Sequence, residues 1–231
     1  MKQQGYKIYY LYILAACCLL AACTKLRDTY GDFVEGGEIY YPGRADSLKA
    51  YPGNNRIRLQ WLLIADPKII KNKIYWNNKA DSLEIAVNRS AGIDTIEAML
   101  NPMSEGTYTF EVYTFDKKGN RSVKTDIIAN VYGYNYNITL VNRAVKSTKM
   151  NATADTAVVD FYKTSIQHIG IDLRYKNQLG DSVNVFVPVT ADRFKLPGFV
   201  PGESFIYRSL YKPEENAIDT FYSEFESMQV L

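Results

Sequence analysis

Arg56-Ile57-Arg58-Leu59-Gln60-Trp61-Leu62-Leu63 alternates: Ile57, Leu59 and Trp61 face one way, and Arg56, Arg58 and Gln60 face the other. A period of two is that of a strand with one side buried. The same reading extends outward on both sides. Upstream, Lys49-Ala50-Tyr51 runs into Pro52-Gly53-Asn54-Asn55, a turn by composition. Downstream, strands are predicted over 71–76, 82–87, 96–100, 107–115 and 121–131, separated by Asp66-Pro67-Lys68, by 77–81, by 101–106 and by the hairpin loop Asp116-Lys117-Lys118-Gly119-Asn120. Seven short strands at close turn spacing and no helix predict an all-β sandwich.

Tyr132-Gly133-Tyr134-Asn135-Tyr136 reads as a connector, after which a second set of strands begins. They are expected over 138–141, 156–162, 169–175, 183–187, 194–196, 205–209 and 220–228. An internal repeat supports this. Trp76-Asn77-Asn78-Lys79-Ala80-Asp81-Ser82-Leu83 is echoed by Tyr175-Lys176-Asn177-Gln178-Leu179-Gly180-Asp181-Ser182-Val183, one sandwich further on.

The first residues have the three-part layout of a secretory signal: Lys2 and Lys7, an apolar run from Ile8 to Leu20, then Ala21-Ala22. That run is short of the roughly 20 residues of a spanning helix. Leu20-Ala21-Ala22-Cys23 resembles the lipobox of bacterial lipoproteins, which implies cleavage before Cys23 and acylation of its thiol and new amino group. Leu14-Ala15-Ala16-Cys17 has the same spelling but leaves a shorter apolar core. The expected organisation is a signal peptide over 1–22, an anchor and tether over 23–43, a first sandwich over 44–132 and a second over 133–231.

Bulk composition excludes several classes. The three cysteines, Cys17, Cys18 and Cys23, all lie in the signal or at the anchor, so the folded part has neither disulfide nor thiolate metal site. The net charge of +2 comes from Lys2 and Lys7, and without them 25 basic residues face 25 acidic ones. That balance carries no footprint for nucleic acid. The lone histidine, His168, stands in a Gln-His-Ile setting with no nucleophile motif, and reads as a surface or half-buried residue at a strand end. The carboxylate pairs Asp94/Glu97 and Glu214/Glu215 read as solvated loops, and Asp116 with Asn120 does not match a calcium loop. No cofactor and no catalytic residue is expected, and the chain is read as non-enzymatic.

Two features are candidates for binding or modification. Tyr132, Tyr134 and Tyr136, with Tyr40 and Tyr41, lie off the strand period; they suit either stacking on sugar rings in an interdomain cleft or packing of the joint itself. Asp46-Ser47-Leu48, Asp81-Ser82-Leu83, Asp94-Thr95-Ile96, Asp155-Thr156-Ala157 and Asp181-Ser182-Val183 resemble the O-glycosylation acceptor of Bacteroidota. They equally suit turn exits into aliphatic strands.

Trp61 stands where fibronectin type III domains keep a core tryptophan on the second strand, and Leu100 with Tyr108 after Glu105-Gly106 resembles their tyrosine corner. Two fibronectin type III-like sandwiches in tandem are therefore expected. Over its length the chain resembles a Bacteroidota lipoprotein family, domain of unknown function 4998. The carrying residues include Asp28-Thr29-Tyr30, Ile39-Tyr40-Tyr41-Pro42-Gly43-Arg44-Ala45-Asp46-Ser47, Ile74-Tyr75-Trp76-Asn77-Asn78 and Asn130-Val131-Tyr132-Gly133. The resemblance implies an outer-membrane lipoprotein held by Cys23, with a glycan or an outer-membrane protein complex as partner. Thr24-Lys25-Leu26-Arg27 follows Cys23 where surface-exported relatives carry acidic residues, so both surface-exposed and periplasm-facing positions stay open. The expected function is a binding or assembly module of the envelope, with a structural or adhesive spacer that contacts only proteins as the alternative.

Overall fold

Every second residue of the alternating stretch is buried: Ile57, Leu59, Trp61 and Leu63 point into the core from strand β2 (Ile57–Leu63). The computed structural model describes residues 41–64 and 66–230; the signal peptide, Cys23, Tyr40 and the tether up to residue 40 lie outside the described residues. Strand β2 pairs antiparallel with β1 (Asp46–Pro52) and with β5 (Asp94–Leu100), giving a three-stranded sheet in the order β1-β2-β5. Facing it is a four-stranded sheet in the order β4-β3-β6-β7. Its members are β3 (Ile69–Trp76), β4 (Asp81–Ala86), β6 (Gly106–Asp116) and β7 (Thr125–Val131). Ile74, Phe110 and Val112 meet Leu59 and Trp61 between the sheets. The Tyr108 hydroxyl donates to the Ser104 carbonyl at 2.9 Å, the backward bond of a tyrosine corner.

The arrangement then repeats. Strands β8 (Val145–Met150), β9 (Thr156–Phe161) and β12 (Arg193–Pro197) form a sheet in the order β12-β9-β8. Strands β10 (His168–Lys176), β11 (Ser182–Pro188), β13 (Ser204–Tyr211) and β14 (Phe221–Tyr222) form the order β11-β10-β13-β14, and β15 (Glu226–Gln229) also pairs with β13. A second core of Val159, Ile171, Leu173, Phe205 and Tyr207 fills the space between them. A three-plus-four sandwich followed by a three-plus-five one is the tandem architecture that the fibronectin type III resemblance implied.

The sequence echo marks equivalent hairpins. Asn77 Nδ2 donates to Asp81 Oδ2 at 2.6 Å in the β3–β4 turn, and Asn177 Nδ2 to Asp181 Oδ2 at 3.4 Å in the β10–β11 turn. Asn177 Oδ1 also accepts the backbone N–H groups of Leu179 and Asp181. Each turn passes through positive φ, at Asn78 (53°) and at Gly180 (86°), a conformation that asparagine and glycine adopt most easily.

Three local expectations are corrected. A short helix, α1 (Tyr134–Asn137), and a single 3₁₀ turn (Asn77–Lys79) exist where no helix was expected. Residues 138–141 do not open the second sandwich; they continue from α1 through bonds such as Ile138 N–H to the Tyr134 carbonyl (3.0 Å) and Leu140 N–H to the Asn137 carbonyl (3.1 Å). The opening strand is β8. The cause lies far away in sequence. The Glu105 carboxylate accepts the N–H groups of Asn135 (2.7 Å) and Tyr136 (2.8 Å), so it caps a helix whose own N-cap, Gly133, has no side chain to do so. The last strand is also divided into β14 and β15. At the break, the Ser209 N–H is taken by the side chains of Ser223 (2.8 Å) and Asn142 (2.8 Å).

Candidate functional site

The connector tyrosines do not form one surface. Tyr132 and Tyr136 stack edge-on at 4.9 Å, and both meet Phe221 of β14, at 6.2 and 5.0 Å between ring centroids. The Tyr132 hydroxyl donates to Glu214 at 3.0 Å. Burial, and then the neighbouring Glu214 charge, push the Tyr132 phenol up to about 12. The Tyr136 phenol is raised by burial, and its oxygen has no hydrogen-bond partner. Tyr134 points outward and is 73% exposed. Two of the three rings therefore pack the joint between the sandwiches, and one is left for a ligand. Tyr41 is exposed as well.

Around these rings the β13–β14 loop of the second sandwich grips the β1–β2 turn of the first. Asp219 Oδ2 accepts the Asn54 N–H (2.8 Å) and Arg56 Nε (2.9 Å), while Oδ1 accepts Arg56 Nη2 (2.5 Å). The paired guanidinium holds the Asp219 carboxyl below the usual carboxylate range. The Ile218 N–H donates to the Pro52 carbonyl and Asn216 Nδ2 to the Ala50 carbonyl. The turn itself is fixed by Asn55, whose backbone bonds Tyr132 and Met103 and whose side chain bonds the Met103 carbonyl. A Cβ on Gly53 would lie 2.5 Å from Asp219 Oδ2 and 2.9 Å from Ile218 Cγ1, so this approach requires glycine. Asp219→Ala is expected to weaken the joint by about 1–2 kcal/mol, the value of charge-assisted bonds discounted for the partly exposed Arg56. Urea transitions followed by tryptophan emission, which arises only in the first sandwich, and by circular dichroism of both should then separate. Transitions as coincident as in the parent chain would show that this clamp does not couple the two.

His168 corrects its expectation in part. It stands at the start of β10 but is 2% exposed, because the Tyr211 ring covers it edge-on at 5.2 Å. Neither ring nitrogen has a hydrogen-bond partner, and burial, followed by the Arg143 charge, lowers its pKa to about 4. Arg143 escaped the sequence reading altogether. Its side chain is 1% exposed, and its guanidinium donates to the carbonyls of Tyr162 (2.6 Å), Val189 (3.3 Å) and Ala191 (3.0 Å) and to Asp192 Oδ1 (2.7 Å).

The other candidate groups are engaged or dispersed. Asp94 accepts from Arg89 and from the Ser90 N–H, while Glu97 accepts from Gln60. Asp116 closes its own hairpin loop by accepting from Lys118 and Asn120. Among the described residues no group of three or more His, Cys, Asp or Glu is placed to hold a metal ion. Ser47, Ser82, Thr95 and Ser182 are exposed and Thr156 is half-buried. All five stand at the first or second residue of a strand, β1, β4, β5, β9 and β11.

Fold and joint together define a tandem β-sandwich protein with a fixed interdomain contact. Residues 23–221 match the model of a family described as a domain of unknown function, number 4998, and the chain belongs to that family. No curated protein matches it. Among solved structures, it is similar to the chicken CNTN1 FN1–FN3 domains at 13% identity and a TM-score of 0.40, covering 84% of this chain and 69% of that one. It is also similar to a segment of two fibronectin type III domains from chicken tenascin at 15% identity and a TM-score of 0.30, covering 80% and 98%.

Proposed function

We infer that this chain is a non-enzymatic lipoprotein of the cell envelope, held in the outer membrane by acylated Cys23 and acting as a binding or assembly module. The observation that carries the reading is the Arg56–Asp219 joint with its aromatic filling. A joint of this kind makes two sandwiches into one rigid support, and loops on a rigid support are what recognition uses. The spacer reading, with contacts to proteins alone, gains from the same joint, since Tyr132 and Tyr136 are spent on packing. Of the connector rings only Tyr134 stays available to a glycan partner, which therefore needs further contacts elsewhere.

Anchoring is tested in the native host by growth with labelled palmitate. The parent chain is expected to take up label, and a Cys23→Ser chain none; label retained by the variant removes the lipoprotein reading. Intact mass of the same preparations tests Ser47, Ser82, Thr95, Thr156 and Ser182. Hexose-spaced additions beyond the lipid are expected on at least one of them, and a mass accounted for by lipid alone removes the glycosylation idea.

A further inference from the structure

Two hollows open on the second sandwich around Arg143. One, of about 400 Å³, is lined by Lys146, Asp160, Tyr162, Lys163, Asp192 and Arg193 among others. The other, of about 330 Å³, shares Lys163 and Asp192 and adds Arg143, Thr164 and Thr190. Each lies within the size range of small-ligand pockets. The shared residues make the two hollows neighbours, and Lys146, Tyr162 and Lys163 all line the larger one.

Its charges are unevenly paired. Arg193 forks onto Asp160 at 2.6 and 3.2 Å, and Arg143 holds Asp192 at 2.7 Å. Lys146 and Lys163 are exposed and have no ion-pair partner among the described residues. Two positive charges are therefore uncompensated at the rim. The same hollow is lined by Tyr162, which is 54% exposed. The rim is also preorganised. The buried Arg143 guanidinium ties the carbonyl of Tyr162 to those of Val189 and Ala191, so the loops on either side of the hollow are fixed by one side chain. Little ordering entropy is then lost when a ligand enters.

We propose that this hollow, built on Tyr162, Lys146 and Lys163, is a binding site for a carboxylate-bearing sugar of the uronic acid type. A pyranose ring has an apolar face that stacks on an exposed tyrosine, and its hydroxyls suit a polar rim such as Thr164 and Thr190. Its carboxylate meets the two unpaired ammonium groups in charge-assisted hydrogen bonds. A neutral sugar leaves both lysines without a counter-charge, and a bare anion makes no use of the ring. The proposal names the ligand class for the binding-module reading above and rests on it.

The test is calorimetric titration of the full chain in detergent solution with trigalacturonate, with a neutral trisaccharide and with inorganic phosphate. Trigalacturonate alone is expected to give saturable binding. Tyr162→Ala and the Lys146→Ala/Lys163→Ala pair, all at exposed side chains, are each expected to weaken it at least about tenfold with an unchanged melting temperature. Equal binding of the neutral trisaccharide overturns the assignment of an acid. Phosphate bound as tightly as trigalacturonate overturns the assignment of a sugar. Trigalacturonate binding that survives both variants overturns the location. No binding by any probe, in a chain still acylated at Cys23, removes this site and leaves the envelope-module reading in place.

Discussion

Arg143→Met is expected to lower the stability of the second sandwich by about 3 kcal/mol, the largest effect of any single polar substitution proposed for this chain. Methionine matches the apolar part of the side chain, so little packing is lost. What disappears is a set of donors. The carbonyls of Tyr162, Val189 and Ala191 all accept from this one guanidinium. These bonds are charge-assisted and part-buried, so each one lost costs roughly 1 kcal/mol after water takes over some of the solvation. Asp192 adds little to the loss, since its side chain is 56% exposed and water can take over its solvation. Arg143→Lys keeps the charge but cannot reproduce a planar fork that reaches both loops at once, and should fall between the two. Both tryptophans, Trp61 and Trp76, are in the first sandwich. In urea, circular dichroism should therefore report early loss of structure while tryptophan emission shifts less. A methionine variant within about 0.5 kcal/mol of the parent would mean that the loops are held by something other than Arg143.

Arg143 also shows which kind of information the sequence carries. The β2 alternation is local: eight residues settle which side chains are buried, and Trp61 falls where the period puts it. The Asn–Asp turns are local too, so their repetition announced two sandwiches. The joint has no such signal, because Arg56 and Asp219 lie 163 positions apart and neither setting is unusual. The connector tyrosines are a mixed case. Their position off the strand period sets them apart from the alternating core in the sequence. Where they end up depends on Glu105, which caps the helix Tyr134–Asn137 from 30 residues away, and Tyr134 is left on the outside. Burial of His168 is likewise imposed from a distance, by Tyr211 on the neighbouring strand. A side chain buried by a partner forty residues away looks, in its own setting, like a surface residue.

His168 is expected to make the protein acid-sensitive over a definite range. Above pH 6.5 the imidazole is neutral in both the folded and the unfolded chain, and the folded state has its full stability. Folding lowers the pKa to about 4, since the ring is buried beneath Tyr211, has no hydrogen-bond partner and feels the Arg143 charge. Between pH 6.5 and 4 the unfolded chain therefore binds a proton that the folded chain refuses. Stability falls with pH by about 1.4 kcal/mol per unit, reaching a loss of roughly 3 kcal/mol, and this contribution is then constant below pH 4. The carboxylates held below their ordinary values, Asp94, Asp155, Asp160 and Asp219, act in a lower window: their contribution is lost as pH falls from about 4 through their folded pKa values. The two causes can thus be told apart. His168→Leu, apolar and close in size, should leave stability at pH 7.5 equal or higher and flatten the decline between pH 6.5 and 4, while the loss below pH 4 persists. Urea midpoints measured from pH 7.5 to 3.5 on both chains give the comparison. If the leucine variant declines as steeply as the parent between pH 6.5 and 4, the proton is being taken up elsewhere and His168 is not the acid-sensitive group.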